Sequence, residues 1–148
     1  MKKILAVFLL LVAVALGVLV FGGRSGGLVP TGSASDRRHL EEQALKFLED
    51  LKFKDFQKAA SYHSLEDRKK ADIGKMIENH FHIKPETLDI MRYEVLRVDV
   101  DSSGLRGRVK TRTVAKVLNT NQIIEPEMIL YWFKDPTEGW VMELESSL

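Results

Sequence analysis

At 148 residues, with 45% hydrophobic and 29% charged side chains, the chain has room for one domain beside any targeting segment. Of its 22 basic residues, Lys2, Lys3 and Arg24 flank an apolar run; the other 19 stand against 21 acidic ones, a mildly acidic balance that argues against non-specific nucleic-acid binding. The chain contains no cysteine, which excludes disulfides, thiolate metal sites and acylation at a cysteine while leaving an extracytoplasmic address open.

Residues 4–21 form an unbroken apolar run of about 18 residues, close to the roughly 20 that cross a bilayer as a helix. Secretory signals carry shorter apolar cores of about 7 to 15 residues. The small-x-small match Ala13-Val14-Ala15 lies inside the run, and Ser33-Ala34-Ser35 lies well beyond it. An uncleaved anchor is therefore the expectation, with secretion after signal cleavage as the alternative. Lys2 and Lys3 before the run, against Arg24 alone immediately after it, place the N-terminus in the cytoplasm and the remainder in the periplasm or outside the cell. Residues 22–35, rich in Gly, Ser and Thr, read as a flexible tether spanning about 20 Å.

Leu40, Ala44, Phe47, Leu48 and Leu51 recur at spacings of three and four, predicting a helix over 36–52 with Ser35 or Asp36 as its cap. Phe53, Phe56, Ala60 and His63 continue that spacing on a short segment opened by Asp55. Ser64 with Asp67 resembles a capping box for a third helix, whose Leu65, Ile73, Met76, Ile77 and Phe81 share a face and which Pro85 ends. From Tyr93 the period changes to two. Strands are expected over 95–101, 105–118, 122–134 and 140–145, separated by Ser102-Ser103-Gly104, Asn119-Thr120-Asn121 and the loop 135–139, with a bulge or local edge at Pro126. The layout is α+β: about three helices covering one face of a four-stranded antiparallel meander.

The stripe from Leu40 to Leu51, the Lys54-Asp55-Phe56 step into a short helix and a meander ending in Gly139-Trp140-Val141 resemble the nuclear transport factor-like superfamily, also called cystatin-like or ketosteroid-isomerase-like. The resemblance is architectural and covers roughly residues 36–148. It implies a cone-shaped domain, a sheet curled round helices, sometimes a pocket at the open end, and frequent dimers or membrane-anchored accessory domains. The superfamily includes isomerases and dehydratases, but none of their catalytic residues matches a position here and none is carried over.

Two sets of residues are candidate sites. Along 105–118, Arg106, Arg108, Lys110, Arg112 and Lys116 share one face, and Leu105, Val109, Thr111, Ala115 and Val117 share the other. Turning Ile124, Met128, Leu130 and Trp132 inward sets Glu125, Glu127, Ile129, Tyr131 and Phe133 beside the basic row. A carboxylate can then pair with Arg112 or Lys116, and an arginine stem can lie over Tyr131 or Phe133. Such a basic and aromatic face suits an interface with a second copy or an envelope partner; a solvated face stitched by cross-strand pairs is the plainer reading. The second set, Phe56, Tyr62, His63, Trp132 and Trp140, could line a cavity at the open end of the cone, although aromatics at these spacings are more often plain core.

Two metal readings fail. Asp99 to Gly104 imitates the first half of a calcium loop, but its twelfth position is Lys110, where a carboxylate is required. His80 and His82 follow a helical stretch, which turns them to divergent sides. No cofactor is expected. The expected function is a single-pass, extracytoplasmic binding or assembly module, with a small-molecule-binding protein or an isomerase- or dehydratase-like enzyme as alternatives.

Overall fold

A computed structural model of the chain describes residues 33–80 and 84–144. The apolar run and most of the tether lie outside these residues, as do Phe81 and His82. Among the described residues no helix is long and apolar enough to cross a membrane.

The architecture is α+β, with four α-helices and a curled antiparallel half-barrel sheet among the described residues. In chain order α1 (Ala34–Lys52), α2 (Phe56–Ala60), α3 (Leu65–Lys70) and α4 (Ile73–His80) precede a 3-10 turn (Pro85–Thr87). Five strands follow: β1 (Leu88–Val100), β2 (Arg106–Val117), β3 (Gln122–Ile124), β4 (Glu127–Asp135) and β5 (Gly139–Met142). The sheet runs β1-β2-β4-β5, with β3 pairing the far end of β2.

Helix α1 forms where its stripe predicts, and Leu40, Ala44, Phe47, Leu48 and Leu51 are all buried. Its cap, however, is Ser33. The Ser33 hydroxyl accepts the Asp36 amide at 3.0 Å and donates to the Asp36 carboxylate at 2.7 Å, a reciprocal arrangement that starts the helix ahead of the expected Ser35 or Asp36. Asp55 caps α2 through the Lys58 amide, as expected. The expected third helix is two. Ala71 is extended, and Asp72 restarts the chain by accepting the Lys75 amide at 3.1 Å, so Leu65 and Met76 are exposed rather than sharing a buried face with Ile73 and Ile77. Phe53 is likewise exposed, because it ends α1 instead of opening α2.

Strand β1 is longer than its alternation suggests. Bulges between Ile90 and Arg92 and between Val95 and Arg97 interrupt the period of two and leave Met91 and Leu96 exposed. As an edge strand, β1 is blunted by these bulges and by Lys52, whose ammonium reaches the Met91 carbonyl at 3.4 Å. The other edge, β5, is covered by the turn after α2: the Met142 amide donates to the Tyr62 carbonyl at 2.8 Å, and His63 forms a parallel bridge with Met142. Pro126 splits the expected third strand into β3 and β4, although its carbonyl still accepts the Thr113 amide at 3.0 Å.

Helix α1 packs on the inner face of β1 and β2. The contact is closest at Gly107, where a Cβ would stand 2.5 Å from Leu40 Cδ1. Inward-facing Val109, Thr111, Thr113, Ala115 and Val117 are buried, as their parity requires; Leu105 belongs to the preceding turn and is exposed.

Candidate functional site

Among the described residues, Tyr62 and Trp132 of the aromatic set pack against each other, whereas Phe56 and Trp140 lie at other places in the fold. Tyr62 packs edge-on against Phe47 at 5.9 Å and against Trp132 at 6.4 Å, while His63 and Trp132 are fully buried. The Tyr62 hydroxyl donates to Asp50 Oδ2 at 3.1 Å, and Lys58 Nζ lies 2.7 Å from Asp50 Oδ1. Burial, together with the adjacent Asp50 carboxylate, raises the phenol pKa. Asp50 was not singled out in the sequence; it flanks the apolar stripe of α1, and nothing local shows that Tyr62 returns to it. Phe56 borders a dent of about 10 Å3 with Leu51, Lys54, Pro85, Leu88 and Ile90.

Trp140 has a different duty. Its indole N–H donates to Asp36 Oδ1 at 3.0 Å, the same oxygen that Lys134 Nζ meets at 3.0 Å, and the Lys134 ammonium stands 5.5 Å from the indole centroid. The Trp140, Ser33 and Lys134 hydrogen bonds hold the Asp36 carboxyl at about 2, well below its ordinary value.

The outer face of the sheet follows the expected register. Arg108 is flanked by Asp99 on β1 and Tyr131 on β4, Arg106 lies opposite Phe133, Lys110 opposite Ile129 and Arg112 opposite Glu127. Most of this basic row is answered by carboxylates. Glu127 takes Lys110 at 2.6 Å and Arg112 at 2.7 Å, which lowers its own pKa, and Glu94 adds a contact to Arg112 at 3.6 Å. Arg97 faces Lys110 directly, a like-charge pairing relieved because Arg97 turns to Asp99 at 2.8 Å. Arg106 pairs with Glu143 at 2.7 Å. Arg108 has no ion pair or hydrogen bond among the described residues.

Around Arg108 the register builds a groove of about 310 Å3 across the strands. Its floor is the row Val100, Gly107 and Trp132, where Gly107 has no side chain and those of Val100 and Trp132 are buried on the inner face; Asp99, Arg108, Tyr131 and Glu143 border one side, and Asp101 and Arg106 the other. A second and more polar groove of about 550 Å3 lies beside α2, α3 and α4. There Arg68 is engaged by Glu138 at 3.8 Å, Lys70 by Glu66 at 2.5 Å, and the start of α4 by Asp72.

Asp101, in the calcium-like stretch, serves its own turn: its carboxylate accepts the Ser103 hydroxyl at 2.7 Å and the Leu105 and Arg106 amides, with Gly104 at φ +70°. Among the described residues no group of three or more His, Asp or Glu side chains is placed to hold a metal. The chain matches no family model, no curated protein and no solved structure.

Proposed function

We propose that this chain is a single-pass membrane protein of the nuclear transport factor-like kind, with its N-terminus in the cytoplasm, that presents its α+β domain outside as a binding or assembly module. The observation that carries this reading is the contrast between the two candidate sites. Of the aromatics that would line a ligand cavity, Tyr62 and Trp132 are packed against each other, whereas the outer face offers an accessible guanidinium, Arg108, beside Tyr131 in a groove opened by Gly107. Arginine and tyrosine in such a setting are the side chains on which protein interfaces concentrate their binding energy. Both sheet edges are blunted or covered, which leaves the face rather than the edge for a partner.

A photo-crosslinking residue at Ile129, with one at Lys46 on α1 as control, tests the reading in membranes of the source cell. Crosslinks to a second copy or to an envelope protein from position 129 alone, lost with Arg108→Glu, are expected. A monomeric chain with no product specific to position 129 would defeat it.

A further inference from the structure

His63 is fully buried, and neither of its ring nitrogens has a hydrogen-bond partner among the described residues. It sits at a joint. The residues on either side of it fasten the turn after α2 to the end of the sheet: the Tyr62 carbonyl accepts the Met142 amide, and His63 itself bridges to Met142. Beyond it, Ser64 caps α3 through the Asp67 amide at 3.1 Å. Glu138, from the loop between β4 and β5, grips the same segment by accepting the Leu65 amide at 3.0 and 3.1 Å and facing Arg68 at 3.8 Å.

A neutral imidazole is tolerated in this position, whereas an imidazolium would be a buried cation with the Ala60 backbone as partner for one of its two N–H groups and none for the other. The charges around it do not compensate. Asp67 on α3 favours the cation, Arg68 on α3 opposes it and is itself held by Glu138, and across Tyr62 the Asp50 carboxylate is already matched by Lys58. Desolvation is the largest influence on the ring and lowers its pKa. The inexpensive way to hydrate a protonated ring is local, because α3 buries no side chain fully and is held to the sheet through Glu138, while Tyr62 stays anchored by Phe47, Trp132 and Asp50.

We propose that His63 is an acid-operated latch: when its ring takes a proton from solvent, the segment of residues 63–70 releases from β5 while Tyr62, α1 and the body of the sheet stay in place. Histidine is the side chain whose charge changes in the range that an extracytoplasmic domain meets.

Hydrogen exchange on the full chain, corrected for the intrinsic effect of pH, tests the latch at pH 7.5 and 5.0. The Leu65 amide is expected to lose protection by about tenfold or more at pH 5.0 in the wild type, with the Met142 amide and those of residues 44–48 unchanged. His63→Leu and His63→Gln, which cannot take the charge, are expected to keep the same protection at both values. Equal protection at both pH values in the wild type, or loss spread equally through α1, would overturn the proposal. So would loss at pH 5.0 that persists in the variants. Should neither variant fold, titration of the wild-type His63 ring by NMR decides: an ordinary imidazole midpoint with no change at Leu65 refutes the latch, and a depressed midpoint coincident with exposure of the Leu65 amide supports it.

Discussion

The Trp140 indole donates to Asp36 across 104 positions of sequence, joining β5 to the first turn of α1. Asp36 is about one-fifth exposed and Lys134 about two-fifths, so solvent screening reduces what the pKa displacement alone would imply. Asp36→Asn is expected to cost about 1–2 kcal/mol at pH 7. A carboxyl that titrates at about 2 when folded, against an ordinary 3.8, stabilises fully above pH 4–5 and loses that contribution as pH falls from about 4 to 2. Denaturant titrations at several pH values should therefore show wild type and variant converging near pH 2.

Gly107→Ala should destabilise by about 1–3 kcal/mol, because the added methyl meets a buried leucine on a packed helix. Combining it with Leu40→Ala removes the obstruction, and a double-mutant cycle should return a favourable coupling. Additive losses would show that the close approach of α1 does not govern the site.

Tyr62→Phe should cost about 1 kcal/mol by removing one hydrogen bond to Asp50. Asp50→Ala should cost about 2–3 kcal/mol, since it leaves a part-buried hydroxyl without its acceptor. Lys58 is itself exposed but its partner Asp50 is buried, so Lys58→Met leaves that carboxylate without its ion pair and should destabilise. Thermal unfolding of the three variants would rank them.

Arg108→Glu should leave folding stability within about 0.5 kcal/mol, because Arg108 has no partner to lose among the described residues. Sedimentation of the wild type and this variant separates a role in association from one in folding: association falls while the unfolding midpoint stays.

A chain lacking residues 1–27 should remain soluble and folded, since the core is drawn from residues 40 onward. Circular dichroism with a cooperative thermal transition is the check.

The inward parity of β2 and the stripe of α1 could be read directly, because each follows one period over more than ten residues with one face buried. Strand β1 could be read only in its second half: each bulge adds one residue, so Met91 and Leu96 break the alternation. The split between α3 and α4 was hidden because Ala71 and Asp72 suit a helix as well as a break. Of the candidate residues, the outer row held its register since neighbouring strands share its pleat. Spacing alone did not show which members of the aromatic set would meet: Tyr62 and Trp132 do, while Trp140 turns to Asp36.

The start of α1 lies beside both hairpin ends, for Asp36 meets Lys134 and Trp140, and the Lys134 amide donates to the Leu105 carbonyl at 2.9 Å. Any tension arriving along the chain before Ser33 would meet the indole–carboxylate clasp before it reached the core. The 19 residues of α1 carry its far end roughly 28 Å away. A pull on the chain ahead of Ser33 would therefore be resisted by β4 and β5 together, with the load shared between helix and sheet.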